Sequence, residues 1–325
     1  MNIFKEDKIR KYVAVNKKAI EIVEDGFTAL ANGNVTLPPI MRIDIPDSNG
    51  EIDVKTAYIK GLDTFAIKIS SGFFNNPSLG LPSLSGMMIL FNTTTGLTES
   101  ILLDNGYLTD VRTAAAGAVA AKYLAKEKIQ NVGVIGTGTQ ARYQIEALSE
   151  VREFEAIHVF GRNEEAAGKY AVEIEGKLGK KVVIAKSVEQ VVKESDVLVT
   201  TTPSTMPLIK AEWLHPGLHI TAMGSDAEHK QELEAKIFRE VDLIVCDVKS
   251  QVFRLGELHH AKEQNIIRNE SDILEIGEIT AGLKNGREND RQITVCDLTG
   301  TGVQDTMIAR FAYQQLMTGN KEFQI

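Results

Sequence analysis

Three basic residues stand among apolar neighbours: Arg42 in Pro38-Pro39-Ile40-Met41-Arg42-Ile43, Lys68 in Phe65-Ala66-Ile67-Lys68-Ile69-Ser70, and Arg112 at the opening of the small-residue run Val111–Lys122. An arginine fork suits bidentate carboxylate recognition, and a lysine donates a hydrogen bond or a proton once desolvation lowers its pKa. On a strand, Ile67 and Ile69 face away from Lys68, which then shares a face with Ala66 and Ser70; an exposed edge lysine accounts for the pattern equally well. Arg112 at a helix start opposes the macrodipole unless an anion offsets it, and its competing role is a salt bridge to Asp110 or Asp104. A carboxylate able to trade a proton with an amine is found in Gly224-Ser225-Asp226, directly after the apolar run His219–Met223. Asp226 thus sits at a strand tip, where ligands of wound sheets bind, or else it caps a helix.

A second pattern calls for a redox nucleotide. Asn131-Val132-Gly133-Val134-Ile135-Gly136-Thr137-Gly138-Thr139-Gln140-Ala141 sets Gly-x-Gly-x-x-Ala between a strand and a helix. Gly136 permits the turn, Gly138 admits the pyrophosphate to the backbone, and Ala141 lets the helix lie close to the sheet. Helix N-terminal amides then hold the phosphates, with Thr137, Thr139 and Gln140 in the same turn. The next strand ends in Phe160-Gly161-Arg162-Asn163, without the acid that would bind ribose hydroxyls in an NAD site. Arg162 can receive a 2′-phosphate, which favours NADP(H); as a surface arginine it would leave NAD to the backbone and Asn163. Thr201, Thr202, Gly224, Lys230 and Gly300 complete the expected nucleotide contacts. Gly300-Thr301-Gly302-Val303-Gln304-Asp305 imitates the fingerprint, but no βαβ unit follows it, so it reads as a return hinge.

The elements that must carry these groups fall into two patterns. From Val132 onward, strands at Val132–Gly136, Ile157–Gly161, Val182–Ala185, Val197–Thr201, His219–Met223, Leu243–Asp247 and Ile293–Leu298 alternate with amphipathic stretches, including Gln140–Ser149, Glu164–Leu178 and Val188–Lys193. Such alternation predicts a Rossmann-type, doubly wound parallel sheet. Before it, a helical opening at about Asp7–Asn32 precedes strands Ile40–Ile45, Glu51–Tyr58, Thr64–Ser70, Gly86–Phe91 and Thr98–Asp104, which predicts a mixed or antiparallel sheet. Ser70–Ser85 looks too long for a hairpin and reads as a functional loop, and Asn265–Arg291 as a second loop or a ragged helix-turn region. Thr109 or Asp110 would cap the helix that follows. A last helix, Val303–Met317, is free to pack on the first domain. The expected α/β architecture is therefore a discontinuous α+β domain, 1–122 with 303–325, serving substrate binding and dimerisation, and a dinucleotide domain, 123–302.

Composition agrees with an ordinary folded protein of two domains. At 325 residues, 43% hydrophobic and 25% charged, the chain has the make-up of a globular protein. Its 36 basic and 44 acidic residues leave a net charge of −8, which disfavours nucleic acid and anionic membranes as partners. No run is long enough to span a bilayer, and Met1–Asp7 lacks the apolar core of a signal peptide, so a cytoplasmic location is expected. Cys246 and Cys296, each in a Val-Cys-Asp triplet, read as buried free thiols, and the six histidines show no metal spacing.

Leu108-Thr109-Asp110-Val111-Arg112-Thr113-Ala114-Ala115-Ala116, the Gly136–Ala141 turn and Gly224-Ser225-Asp226 together resemble the ornithine cyclodeaminase/μ-crystallin family over essentially the whole chain. Gly80-Leu81-Pro82-Ser83-Leu84-Ser85-Gly86-Met87-Met88 and Asp104-Asn105-Gly106-Tyr107-Leu108 are most similar to its branch of ectoine-utilisation cyclodeaminase-like proteins and iminosuccinate reductase. The resemblance implies a homodimer that binds NAD(P)(H) and holds its substrate between domains. It further implies that Arg42, Lys68 and Arg112 bind substrate carboxylate, that Asp226 is the acid/base with Lys68 beside it, and that Asp53 stands where cyclodeaminases carry a substrate-contacting glutamate. The expected function is hydride transfer at the α-carbon of a small imino or amino acid, such as iminosuccinate. A cyclodeaminase that recycles its NAD and a non-catalytic nucleotide-binding protein are the alternatives.

Overall fold

The computed structural model describes residues 1–267 and 269–322. The chain divides into two compact units, Met1–Thr113 with Thr301–Ile325, and Ala114–Gly300. In chain order the first unit contains β1 (Asn2–Lys5), α1 (Glu6–Tyr12), α2 (Lys17–Ala31), β2 (Val35–Thr36), β3 (Met41–Ile45), β4 (Gly50–Ile59), β5 (Thr64–Phe73), β6 (Leu84–Asn92) and β7 (Thr98–Leu103). Helix α3 (Tyr107–Leu124) runs through the boundary. The second unit follows with β8 (Asn131–Ile135), α4 (Thr139–Ser149), β9 (Ala156–Phe160), α5 (Glu164–Leu178), β10 (Lys181–Ile184), α6 (Val188–Glu194), β11 (Val197–Thr200), β12 (Thr205–Ile209) and β13 (His219–Ala222). It ends with β14 (Gln231–Leu233), α7 (Ile237–Glu240), β15 (Leu243–Cys246), α8 (Lys249–Leu255), α9 (Glu257–Glu263), β16 (Leu274–Glu275), α10 (Ile276–Thr280) and β17 (Thr294–Asp297). Helix α11 (Gly302–Glu322) returns to the first unit.

The first unit is a seven-stranded mixed sheet in the order β1-β7-β6-β5-β4-β2, with β3 paired to β4. Only β1 and β7 run parallel among these pairs. Side chains alternate between faces along each strand. Lys55, Ala57 and Ile59 of β4, Thr64, Ala66 and Lys68 of β5, and Met88 and Leu90 of β6 are all buried on one face. Helix α11 lies on that face: Thr306 Oγ1 donates to the Ala57 carbonyl at 2.8 Å and accepts from the Ala66 amide at 3.1 Å. A Cβ on Gly302 would stand 2.2 Å from the Thr56 carbonyl oxygen, so only glycine lets the start of α11 approach β4 this closely.

Three expectations for this unit are corrected. The helical opening at Asp7–Asn32 is two helices behind a short strand, because Val13 is extended and Asn16 caps α2 by accepting the Ala19 amide at 2.9 Å. Ser70–Ser85 is not a free loop: β5 and β6 continue through it in register from Ser70–Gly86 to Gly72–Leu84, which leaves a short connection containing one 3-10 turn, Asn76–Leu79. Glycine, proline and serine had masked the strand ends. Neither Thr109 nor Asp110 begins α3; the helix starts at Tyr107, and Asp104 Oδ2 accepts the Leu108 amide at 2.8 Å.

The second unit is the expected wound sheet, eight parallel strands in the order β10-β9-β8-β11-β13-β17-β15-β16. The winding reverses between β8 and β11, the switch point at which such sheets open a crevice beyond their strand ends. Its strands are buried on both faces, as in Val132, Val134, Val197, Leu198, Ile220 and Val295. Cys246 and Cys296 are free and buried. The stretch expected as a loop or ragged helix-turn region at Asn265–Arg291 contains a 3-10 turn at Glu270–Asp272, β16 and the short helix α10. Arg268 within it lies outside the described residues. Among the described residues no helix is long and apolar enough to cross a membrane.

Gly302→Ala is expected to lower the unfolding free energy by about 1–3 kcal/mol, the usual cost of forcing an added methyl into packed structure. A shift of the denaturant midpoint to lower concentration measures it.

Candidate functional site

In the first unit, two of the three expected cations converge on a carboxylate. Lys68 Nζ lies 3.1 Å from Asp305 Oδ2, and Arg112 Nε lies 2.9 Å from Asp305 Oδ1. Arg112 Nη1 also donates to Gln304 Oε1 at 2.9 Å. All three charged groups are buried, Asp305 completely. Lys68 is thereby no exposed edge lysine, and Arg112 has in Asp305 a partner that its sequence neighbourhood did not offer. Arg112 stands in the second turn of α3, past the orphan amides, whereas Asp305 sits in the first turn of α11, where the dipole favours a carboxylate.

The charges act on one another. Burial, and then Arg112, push the Lys68 ammonium down to about 7, against the pull of Asp305. Burial would raise Asp305, but Lys68, Arg112 and Lys55 outweigh it and hold the carboxyl below its ordinary value. Asp104 is pushed up to about 6, first by burial, while the Leu108 amide and Lys68 oppose the rise. A lysine ammonium lowered in this way can hold a carboxylate beside an arginine and can also move a proton.

Arg42 is placed differently from this pair. It is in register with Asp53, its Nε donates to Asp44 Oδ1 at 2.9 Å, its Nη2 pairs with Glu51, and its Nη1 lies 3.8 Å from Asp53 Oδ1. A substrate carboxylate at Arg42 would therefore compete with three acids. Asp53 Oδ1 is buried and has no hydrogen-bond partner among the described residues, so it retains accepting capacity for a substrate N–H.

In the second unit Gly136, Gly161, Thr201, Gly224 and Gly300, all expected to meet a nucleotide, follow the ends of β8, β9, β11, β13 and β17. Gly136 takes φ 116°, and a Cβ there would meet Thr201 Oγ1 at 2.5 Å. Gly138 begins α4 with no side-chain cap, and a Cβ on it would meet nothing within 4 Å. An uncapped helix start facing open space suits a pyrophosphate. A Cβ on Gly161 would stand 2.7 Å from Thr137 Cγ2, so the two turns lie against each other. Arg162 is exposed, and Asn163 caps α5 by accepting the Ala166 amide at 2.8 Å. Ala141 is fully buried.

Asp226 lies in the segment after β13 and begins no helix, which removes the N-cap reading. Its side chain is half-exposed, and Lys230 Nζ lies 2.6 Å from its Oδ1. Ser225 Oγ donates to the Lys230 carbonyl at 2.7 Å, and His260 Nε2 lies 2.7 Å from the same oxygen. Ligand-type atoms of His259, His260 and Glu263 fall within 4.8 Å of one another, a grouping that adjacent histidines in the sequence did not suggest.

Sequence reasoning missed the acids that hold this edge of the sheet. Glu232 accepts the Thr202 amide at 2.6 Å and the Gly224 amide at 3.0 Å. Glu257 accepts the Glu232 and Leu233 amides at 2.7 and 3.0 Å. Asp297 takes the Leu258 amide at 2.9 Å, while Asp247 takes those of Thr299 and Gly300 at 2.9 and 2.7 Å. Burial raises Glu232 and Glu257, and pushes Asp297 up to about 8. Asp305, Gln304, Lys55 and Asp104 were missed in the first unit. The only signal for Asp305 was its place in the first turn after the Gly300–Gly302 hinge.

The sequence pattern of the ornithine cyclodeaminase/mu-crystallin family matches residues 3–320. A putative dehydrogenase from Rhizobium meliloti is 50% identical over 313 residues, 96% of this chain and 95% of that protein. Thermococcus litoralis Δ1-pyrroline-2-carboxylate reductase, solved with NADH and L-proline, superposes with a TM-score of 0.93 at 32% identity, covering 98% of both chains. An archaeal alanine dehydrogenase dimer with bound NAD gives 0.91 at 34% identity, covering 98% of this chain and 96% of that one. Iminosuccinate reductase from Paracoccus denitrificans is 31% identical over 296 residues, 90% of this chain and 89% of that protein, so the expected placement beside it is corrected to a distant relationship. The bound nucleotides of these relatives give the NADP(H) preference no support.

Asp305→Asn would leave Arg112 buried without its charge partner, and is expected to cost about 3–5 kcal/mol in chemical denaturation.

Proposed function

Because this chain belongs to the ornithine cyclodeaminase/mu-crystallin family, we propose that it is a nicotinamide-dependent oxidoreductase acting reversibly at the α-carbon of a small imino or amino acid. The observation that carries the reading is the buried Lys68–Asp305–Arg112 group, two cations on one carboxylate, in a chain that also contains a Gly136–Ala141 nucleotide turn. Its relatives include enzymes named for reducing a cyclic imino acid and for oxidising alanine. A homodimer that uses NAD(H) accords with the dimer and the bound nucleotides of those structures.

In the proposed reaction Gly136, Thr137, Gly138, Thr139 and Gln140 would hold the pyrophosphate, with buried Ala141 letting α4 lie close to the sheet, and Gly161, Arg162 and Asn163 would meet the adenosine ribose. Thr201, Thr202, Gly224 and Gly300, beyond the ends of β11, β13 and β17, and Lys230, just before β14, would complete the nucleotide contacts. Bound nicotinamide supplies or accepts the hydride. Lys68 and Arg112 fix the α-carboxylate, with Arg42 in the neighbouring row of the same sheet face. Asp53 Oδ1 accepts an N–H of the substrate. As the imine carbon gains a hydride, the C=N π pair moves to nitrogen, and Asp226 delivers the proton that completes the amine; Lys68 is the second group able to hold that proton.

The ionisation of Lys68 sets a pH dependence. A carboxylate is held by the ammonium form, and the free enzyme loses that form above about pH 7. KM for the carboxylate substrate is therefore expected to rise with pH above neutrality, by at most about tenfold per unit for one proton taken up on binding, and Lys68→Met should flatten the profile.

The decisive assay mixes purified protein with NADH or NADPH and imines formed from 2-oxo acids and ammonium, follows reduced nicotinamide, and separately measures ammonia released from ornithine. Imine-dependent oxidation of the cofactor is expected. Ammonia release without net cofactor change would instead establish a cyclodeaminase, and binding without turnover would establish a carrier. Asp226→Asn should lower kcat by about 100-fold or more with nucleotide affinity nearly unchanged; unimpaired turnover would remove Asp226 from the mechanism.

A further inference from the structure

Three side chains of α9 form a group that hydride transfer does not use. One ligand-type atom from each of His259, His260 and Glu263 falls within 4.8 Å of the other two. The histidines are half-buried and Glu263 is exposed, so the group is open to solvent. A helix puts residues four apart on one face, and His259 Nε2 accordingly lies 3.5 Å from Glu263 Oε1. That spacing alone describes an ordinary ion pair along a helix. The far side of each imidazole distinguishes this group from one.

A carbonyl oxygen only accepts, so a ring nitrogen that meets one must carry a proton. His259 Nδ1 lies 3.3 Å from the Phe253 carbonyl of α8, and His260 Nε2 lies 2.7 Å from the Lys230 carbonyl just before β14. In the neutral rings these contacts fix opposite tautomers, leaving a lone pair on Nε2 of His259 and on Nδ1 of His260. Metal-binding histidines are oriented in the same way, by donating their other N–H to a carbonyl or carboxylate. Here two separate segments supply that outer layer, and the Lys230 carbonyl also accepts from Ser225 Oγ at 2.7 Å. The neighbouring cation of α9, Lys262, is paired with Glu270 at 2.8 Å. Bonds of about 2.1 Å to a tetrahedral ion set its ligand atoms roughly 3.4 Å apart, close to the separation of His259 Nε2 and Glu263 Oε1.

We propose that His259, His260 and Glu263 form a binding site for one divalent late-transition ion of the zinc class, with a fourth position left to water. Two imidazoles and a carboxylate suit Zn²⁺, whereas Mg²⁺ and Ca²⁺ take oxygen donors. The hydrogen bonds of the two rings make the ion a tie between α9, α8 and the segment before β14, so its role is structural and independent of the proposed reaction.

The full-length protein, free of any affinity tag and stripped with a chelator, is titrated with Zn²⁺ by calorimetry. One ion per chain is expected, with a dissociation constant in the micromolar range or tighter and no comparable binding of Mg²⁺. Co²⁺ in its place should show the strong visible absorption of a four-coordinate ion. His259→Ala and Glu263→Gln should each weaken Zn²⁺ binding by about tenfold or more, while His215→Asn, outside the group, should not. Zn²⁺ should raise the thermal midpoint of wild type and leave that of His259→Ala unmoved. Because Glu263 is exposed, Glu263→Gln keeps the metal-free midpoint of wild type, and its loss of affinity reports on ligation rather than folding. The proposal is overturned by no binding in the micromolar range, by several weak ions per chain, or by an affinity that survives Glu263→Gln, each of which means an adventitious ion only.

Discussion

Burying charge is tolerable only when the opposite charge is buried with it, and the first unit is organised around that constraint. Lys68 projects from the middle of a sheet, Arg112 from a helix that follows the sheet in sequence, and the acid that neutralises them arrives nearly two hundred residues later on α11. The unit is discontinuous in sequence, and its counter-charge explains what the return of the chain accomplishes. Gly302 allows the helix to start against β4, Thr306 fastens it to β4 and β5, and Asp305 is carried into place between the two cations. The outcome within one salt bridge is a lysine drawn down to about 7, first by burial and then by Arg112, and a carboxylate that Lys68, Arg112 and Lys55 hold low against its own burial.

The second unit meets a different form of the same demand. A parallel sheet directs its ligand-binding loops beyond the C-terminal ends of its strands, and these loops bring backbone amides that no ladder satisfies. Glu232, Glu257, Asp247 and Asp297 accept those amides in pairs or singly, and so set the positions of Thr202, Gly224 and Gly300. The nucleotide turn itself depends on small residues: Gly136 for a left-handed φ, Gly138 for open space, and Gly161 for contact with Thr137. Acids fix the loops and glycines keep the space clear.

How far this was legible from residues alone differs between the two units. The strands from β8 to β17 that were expected are present within one or two residues of their expected ends, since buried parallel strands leave unbroken runs of Val, Ile and Leu. In the first unit β1 escaped notice because four residues with one buried side chain have no periodicity, and β5 and β6 were cut short by glycine and serine that pairing accommodated. Lys68 and Arg112 stand out in the sequence as cations among apolar or small residues, but their partner does not, because Asp305 has no local feature that separates it from an acid on any helix start.

The residues by themselves determined the wound parallel sheet, the mixed sheet before it and the glycine turn between β8 and α4, because hydrophobic period and glycine placement are local properties of the chain. Only the tertiary structure decided which acid faces which base. It put Asp305 between Lys68 and Arg112 and within the field of Lys55, surrounded Arg42 with Asp44, Glu51 and Asp53, and gave the Thr202 and Gly224 amides to Glu232. The physical reason is that the energy of a charge depends on its surroundings within a few ångströms, and those surroundings come from segments far apart in sequence that meet only when the chain has folded.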